Sequence, residues 1–437
     1  MSLGGQVTGQ VKPPRVVGIS GSVLINLNGM VGAGIFALPA VLYLNLGNFS
    51  PIAILLFAIP LACIASIVAK LSTLFERSGG GQLFAETALG KYAGFQMGWL
   101  TICANTAGRA ANFHVLVSYM AALFPFFEGT IARPVTIVGL IASMTTLSII
   151  GTKRSLGGIW VGTVLKLAPL FLLILLGLGT NGLPIDVQLP EFSGLESVAL
   201  LIAYAYSGYG MASISAGEAK NPRSTIYRSI FMGLFGVAVF YALVQWAYIA
   251  INPDPASADT PLAAAGLSLF GEWGAVAISA TAVFSIATNQ LNSFVVMPRI
   301  LFGMGERKLL PRFFAHVSER FLTPDFSILA YALLVFALAL SGTFKTLAVL
   351  TVAVEQVGLA LILISFAVHW RNNFRGMADT IGKRWLIIFP VAVLMLVWMA
   401  LQVPALAVLS VTGMVAAGTV LYWLFKRRIA RELSPVT

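Results

Sequence analysis

The stretch that decides the fold reads Asn28-Gly29-Met30-Val31-Gly32-Ala33-Gly34-Ile35-Phe36. It places three glycines in six positions, inside an apolar run that covers residues 16–42. Glycine costs a helix about 1 kcal/mol relative to alanine, so three glycines this close together predict an interrupted helix. Close packing of helices through small residues is the alternative explanation.

The composition around this stretch indicates a membrane protein. The chain has 437 residues, of which 58% are hydrophobic and 10% are charged. Soluble domains carry roughly 25% charged residues, so a soluble enzyme, a nucleic-acid-binding protein and a disordered chain are excluded. A helix that crosses a bilayer needs about 20 apolar residues, and the length fits twelve such helices with short loops. The predicted spans are 16–42, 49–75, 93–124, 131–150, 156–179, 196–216, 226–251, 272–302, 326–342, 345–370, 384–403 and 405–425.

The basic residues predict the orientation of these spans. Of the 27 lysines and arginines, 23 fall in the termini, the even-numbered loops and the span ends that face them. The positive-inside rule places that side in the cytoplasm, and an even number of spans puts both termini there. We therefore predict a multi-pass protein of the plasma (inner) membrane with cytoplasmic tails at residues 1–15 and 426–437. The net charge of +11 is then an orientation signal.

A second interruption is predicted in the sixth span, at Ser207-Gly208-Tyr209-Gly210. Spans one and six correspond if spans 1–5 and 6–10 are inverted repeats, and paired interruptions of this kind mark a transporter site at the bilayer midplane. The N-terminal end of a half-helix suits a carboxylate, whereas freed carbonyls suit an ammonium or a metal cation. A site with both features favours a zwitterion, which means an amino acid.

At these residues the sequence resembles the amino acid–polyamine–organocation family of transporters. Four motifs carry the resemblance: Gly29–Phe36, Ser78–Gly81 with Ala88–Gly90 and Gly98-Trp99, Ala205–Tyr209 with Gly217–Arg223, and Arg299–Phe302 with Leu310-Pro311. The resemblance implies an all-α membrane protein of 12 transmembrane helices. It also implies a 5+5 inverted repeat (residues 16–180 and 196–370) with broken helices 1 and 6, followed by two C-terminal helices (384–425).

The resemblance also implies a substrate site, position by position. The N–H groups of Ala33 and Gly34 would bind the α-carboxylate, and the carbonyls of Met30, Tyr204 and Ser207 would receive the α-ammonium. Tyr204 sits where the family has an aromatic gate, although packing or an interfacial position is the alternative for a tyrosine in a span. The residues assigned to substrate binding are Met30, Gly32, Ala33, Gly34, Tyr204, Ser207, Gly208, Gly210 and Arg109.

Lys166, in the fifth span, is the clearest charge inside the membrane, where ionisable residues suggest function by default. Snorkelling to the cytoplasmic surface is the alternative. The resemblance implies that its ammonium replaces a sodium ion and contacts first-span carbonyls near Gly29. Polar groups of the eighth span would share this contact; the candidates are Asn289, Asn292 and Ser293. Lys166 could then exchange a proton during the transport cycle.

Arg109 in the third span and Glu355 in the tenth are the other two intramembrane charges. They could form a buried ion pair that only ties helices together. Alternatively, Arg109 faces the substrate side chain, where a fixed cation repels basic substrates and tolerates neutral or acidic ones. Gly210 stands where the family's exchangers of basic substrates carry an acid, which agrees with that interpretation. Glu218 is either a solvated loop charge or part of a cytoplasmic gate.

The sequence therefore predicts a secondary active transporter that moves a neutral or acidic amino acid by alternating access, as a proton symporter through Lys166. The alternatives are a sodium-independent exchanger or exporter, a basic amino acid/polyamine antiporter, and a transport-dead amino acid sensor. No zinc-protease, nucleophile-elbow or ATP-binding motif is present, so we expect no enzyme activity, no cofactor and no metal. The expected partners are the amino acid and the lipid bilayer, without nucleic acid, and the protein is expected to be a monomer or homodimer.

Overall fold

The computed structural model describes residues 19–75, 80–151, 156–184, 186–209, 222–254, 259–377 and 382–433. Within these ranges the regular structure is helical, without strands. The α-helices are α1 (Ile19–Met30), α2 (Gly34–Leu46), α3 (Ser50–Thr73), α4 (Gly80–Leu89), α5 (Lys91–Leu123), α6 (Ala132–Ile150), α7 (Leu156–Asn181), α8 (Phe192–Tyr206), α9 (Pro222–Ile251), α10 (Pro261–Phe270), α11 (Glu272–Val296), α12 (Pro298–Glu306), α13 (Asp325–Ala339), α14 (Phe344–Arg371), α15 (Trp385–Leu401) and α16 (Ala405–Leu433).

Among the described residues, six helical segments are long and apolar enough to cross a bilayer, and several shorter apolar helices accompany them. Large hydrophobic side chains such as Leu175, Leu333 and Leu394 are two-thirds exposed, as expected where lipid replaces water outside the bundle. The protein is thus a helical membrane protein. Each predicted span overlaps at least one of the helices, and the count of twelve crossings stays a prediction.

The interruption predicted in the first span is confirmed. Helix α1 ends at Met30 and α2 begins at Gly34. The carbonyls of this break are held by groups from elsewhere in the bundle, as shown below. In the sixth span, α8 ends at Tyr206, and its C-cap residue Ser207 leaves the helical region with φ −54° and ψ 136°.

The eighth predicted span, 272–302, lies within one apolar helical segment, Glu272–Glu306, that is long enough to cross a bilayer, and two helices meet inside it. Helix α11 ends at Val296, and α12 begins at Pro298. Proline has no N–H to continue the helical ladder, which explains why the boundary lies at Met297. The junction does not affect the part of α11 that faces the two breaks.

Two short helices, α4 and α10, were not predicted. Each has 10 residues, about half of what a bilayer crossing needs. Each is joined to the following long helix through one glycine in the left-handed region, Gly90 with φ 91° and Gly271 with φ 66°. These conformations are open to glycine at little steric cost, so both helices can fold back sharply onto the helix that follows.

Helix α5 lies at the centre of the bundle. It packs against α11, α13, α14 and α16. Helix α1 packs against α9, α2 packs against α8, and α8 packs in turn against α14. The first interruption lies near Asn112 of α5 and Asn289 of α11, and the second lies against Glu355 of α14.

Candidate substrate site

The two interruptions touch each other. A Cβ placed on Gly208 would lie 2.8 Å from the carbonyl oxygen of Gly29, and Gly208 itself has φ 103°. One turn further along, a Cβ on Gly34 would lie 3.2 Å from the Cα of Ala205. Only residues without a bulky Cβ allow this approach, so the glycines predicted to break the helices also bring the breaks together.

Lys166 binds the first break. Its Nζ donates a hydrogen bond of 2.7 Å to the carbonyl oxygen of Val31, and the side chain is 2% exposed. The predicted contact with a first-span carbonyl therefore exists, two residues beyond Gly29. The burial of Lys166 contradicts the snorkelling alternative, because the ammonium lies within the bundle instead of at its surface.

The Met30 carbonyl, expected to receive the substrate ammonium, already accepts two hydrogen bonds. They come from the Gly32 N–H at 2.9 Å and from the Tyr241 hydroxyl at 2.9 Å. A carbonyl oxygen has two lone pairs, so an ammonium would have to displace one of these donors. Tyr241, on α9, was not predicted as a site residue, because a tyrosine in an apolar helix usually only packs against its neighbours.

The other predicted backbone groups lie at helix ends that face the breaks. Ala33 and Gly34 stand at the N-terminus of α2, where the first turn of N–H groups has no partner within the helix. The Tyr204 carbonyl accepts the Ser207 N–H at 3.0 Å, so one lone pair is used at the C-terminus of α8. Helix dipoles make the first end favourable to an anion and the second to a cation.

The Tyr204 side chain is buried between two helices. Its hydroxyl donates to Asn112 Oδ1 at 2.6 Å and approaches the Gly108 carbonyl at 3.3 Å. The ring meets that of Phe344 edge-on at 5.9 Å. Tyr204 is thus hydrogen-bonded to the middle of α5 and packs against the start of α14, and a gate at this position stays a prediction.

Gly32 faces two amide side chains. A Cβ on Gly32 would lie 3.6 Å from Asn289 Oδ1 and 3.7 Å from Asn112 Nδ2. Asn112 was not among the predicted site residues. Its spacing four residues after Gly108 places both on one face of α5, and this pattern could have identified it.

Arg109 and Glu355 have different partners. Arg109 Nη1 donates a hydrogen bond to Asn289 Oδ1, while its Nε is buried without a hydrogen-bond partner among the described residues. Ser207 Oγ donates to Glu355 Oε2 at 2.8 Å. In the described part of the chain Arg109 and Glu355 therefore form no ion pair within bonding distance, although the field of Arg109 reaches Glu355. Ser293, one turn after Asn289, is also buried.

Two predicted residues, Gly210 and Glu218, lie outside the described residues. A small pocket lies beside the breaks, between α2, α3, α8 and α9, and its lining includes Gly34 and Ala205. Its polar groups are already used: the Tyr206 hydroxyl donates to the Ile54 carbonyl at 2.8 Å, and Gln245 donates to the Pro39 carbonyl at 3.1 Å. The side chains that line this pocket therefore offer mainly apolar surface.

Comparison of the sequence with known proteins identifies its family. The model of an amino acid permease family matches residues 18–425. The chain is 28% identical to a serine/threonine exchanger of Bacillus subtilis over 72% of this chain and 74% of that protein. It is 28% identical to a polyamine transporter of Oryza sativa subsp. japonica (82% and 68%) and 25% identical to a cadaverine/lysine antiporter of Escherichia coli (65% and 65%). The chain belongs to the amino acid–polyamine–organocation family of membrane transporters, as a permease for amino acids or polyamines.

Proposed function

We propose that the protein is a secondary active transporter that carries an amino acid by alternating access, with the substrate bound where the two helix interruptions meet. The contact of Gly208 with Gly29 is the observation that carries this proposal. This contact brings the N-terminus of α2 beside the C-terminus of α8. The two helix ends can therefore bind the carboxylate and the ammonium of one small molecule.

A 5+5 inverted repeat is part of the proposal, with residues 16–180 and 196–370 as the repeats and 384–425 as two added spans. The packing supports it. Helices α5 and α11, in the third spans of the two repeats, make corresponding contacts: α5 packs against α14 and α13 of the second repeat, and α11 packs against α7 and α6 of the first. The short helices α4 and α10 precede corresponding spans, and they contact α14 and α7 respectively. The positive-inside charge bias supports cytoplasmic termini at 1–15 and 426–437 in an inner or plasma membrane.

We expect the substrate to be a neutral or acidic amino acid. Arg109 Nε is buried without a protein partner among the described residues, and a donor left in this way favours a substrate oxygen. Asn289 accepts a hydrogen bond from Arg109 and also lies near Gly32 in the first break. The guanidinium is therefore held close to the first break. A fixed cation there disfavours lysine, arginine and polyamines.

A basic amino acid or polyamine antiporter is the second candidate. The carboxylate of Glu355 reaches Ser207 at the second break and could bind a substrate ammonium. Two relatives are described as transporters of polyamines or of cadaverine and lysine. The order in which substrates compete for uptake decides between the two candidates.

Lys166 is the proposed site of proton coupling. Its ammonium binds the Val31 carbonyl inside the first break, so a proton lost from Nζ would remove the charge from that hydrogen bond, weaken it and loosen the break. Coupling of proton movement to transport requires that a change of protonation favours one orientation of the carrier over the other.

The test is transport by the purified full chain in liposomes, with and without a pH gradient, using radiolabelled neutral, acidic and basic amino acids and putrescine. We expect saturable uptake of a neutral or acidic amino acid that is stimulated by an inward proton gradient. Uptake that persists only as exchange and ignores the gradient would contradict symport. Substrate binding without any uptake or exchange would instead identify a sensor.

A further inference from the structure

Two side chains of opposite charge hold the two helix interruptions. Lys166 Nζ donates to the Val31 carbonyl in the first break at 2.7 Å. Ser207 Oγ, at the second break, donates to Glu355 Oε2 at 2.8 Å. Each break is thus bound by one ionisable group from a long helix that lies elsewhere in the sequence.

The two ionisable groups also occupy corresponding places in the chain. Lys166 is the eleventh residue of α7, which begins at Leu156, and Glu355 is the twelfth residue of α14, which begins at Phe344. These helices lie in the fifth and tenth predicted spans, the last span of each proposed repeat. The repeat relationship therefore pairs the Lys166 contact on the first break with the Glu355 contact on the second.

We propose that Glu355 is a second protonatable group of the transport cycle, which controls the second helix interruption as Lys166 controls the first. This inference rests on the proposed transport function. When Glu355 is ionised, the Ser207 hydroxyl donates a charge-assisted hydrogen bond, which is roughly twice as strong as a neutral one. Protonation weakens this bond and frees the end of α8 to move.

The proton balance of this step is simple. Glu355 takes one proton from water on the outer side, becomes a neutral carboxylic acid, and returns that proton to cytoplasmic water after the carrier has changed orientation. No bond other than O–H forms or breaks, and the Ser207 hydroxyl keeps its own proton. Glu355 and Ser207 are partly buried residues, whereas Lys166 is 2% exposed.

The surroundings of Glu355 fit a group that changes charge. Among the described residues, the charged or titratable groups that act on it are Arg109 of α5, Tyr204 at the end of α8 and Tyr209 just beyond it. The other helices packed against α14 add no further charge to this set within the described ranges. Arg109 is bonded to Asn289, and in the part of the chain that the structure describes no cation lies within ion-pair distance of the Glu355 carboxylate.

The experiment compares wild type, Glu355→Gln and the matched control Glu272→Gln in liposomes that contain a pH-sensitive dye. Glutamine keeps an oxygen that can accept the Ser207 hydrogen bond but cannot take up a proton. Glu272 makes the same chemical change at an exposed position of α11. Because Glu355 carries one proton in each transport cycle, we expect the proton influx per substrate transported to fall by that one proton in Glu355→Gln and to stay at the wild-type value in Glu272→Gln.

The outcomes separate this inference from the proposed function. A wild-type protein that transports no amino acid or polyamine refutes the proposed function. Wild-type transport with an unchanged proton-to-substrate ratio in Glu355→Gln, or with no proton movement at all, overturns the role of Glu355 alone. If Glu355→Gln does not fold, Ser207→Ala decides, since it removes the donor and leaves the carboxyl: a pH profile of uptake that is identical to wild type overturns the inference.

Discussion

Gly208 lies against the carbonyl of Gly29, so close that a Cβ on Gly208 would be 2.8 Å from that oxygen. The neighbouring atoms are backbone, and they cannot move aside as the end of a flexible side chain would. The contact couples the two helix interruptions mechanically: a change in one break has to be accommodated by the other. This relationship gives the first prediction.

Gly208→Ala should abolish transport and destabilise the protein. The φ of 103° is strained for alanine, at a cost of about 1–3 kcal/mol, and the clash with Gly29 adds to it. Gly236→Ala on α9 is the matched control, because a Cβ there meets nothing within 4 Å. Thermal unfolding in detergent and uptake in liposomes measure both effects, and a Gly208→Ala protein with wild-type uptake would contradict the contact.

Lys166→Met should reduce uptake about tenfold or more, because hydrogen bonds to charged groups contribute about 1.5–3 kcal/mol and the Val31 carbonyl loses its ammonium donor. Methionine keeps much of the length and removes the charge. Lys345→Met is the control, since Lys345 is exposed at the start of α14. Unchanged uptake and unchanged response to a pH gradient in Lys166→Met would exclude a role for this ammonium.

Arg109→Ala should shift substrate preference towards basic amino acids. Two unit charges about 8 Å apart repel by about 2 kcal/mol at an effective dielectric constant of about 20. Inhibition of uptake by lysine and arginine should therefore strengthen by up to about thirtyfold relative to inhibition by neutral amino acids. Arg133→Ala serves as control, because Arg133 binds Ser118 and the His114 carbonyl away from the breaks. An unchanged ranking of competitors would refute the selectivity role.

Tyr204→Phe should raise the KM for the substrate about threefold to tenfold while leaving the fold intact. The change removes one hydrogen bond, to Asn112 at 2.6 Å, of about 0.5–1.5 kcal/mol and keeps the ring against Phe344. Tyr331→Phe is a matched control, since that hydroxyl makes a bond of 2.6 Å to Asn105 outside the breaks. Equal effects of both variants on KM would mean that Tyr204 only packs.

Much of the fold could be predicted from local sequence. Long apolar runs must become helices in a bilayer, because no other local structure satisfies their backbone groups, and Gly29, Gly32 and Gly34 marked the first break correctly. The helices α4 and α10 were missed because ten residues are too few for a crossing, and their existence depends on packing against α14, α5 and α11. The junction of α11 and α12 at Met297 lies inside the predicted eighth span, and hydropathy alone does not register the missing N–H of Pro298.

The candidate site was predicted less completely. Lys166, Arg109 and Glu355 could be singled out, since charge is costly inside a membrane. Their partners could not, because Lys166 and Val31 are 135 positions apart and Ser207 and Glu355 are 148 apart. An ion pair of Arg109 with Glu355 was an open alternative, yet Asn289 and Ser207 bind these side chains instead. Asn112 and Tyr241 entered the site only through their contacts.

The sequence by itself determined a helical membrane protein with a glycine-rich interruption in its first span, because burial of apolar runs and loss of helical propensity are local effects. The tertiary structure decided which group binds each interruption. It also brought Gly208 onto Gly29 and placed the opposite charges of Lys166 and Glu355 on separate breaks. Contacts of this kind depend on how distant helices pack, since hydrogen bonds and charge interactions act over a few ångströms in space, whatever the separation along the chain.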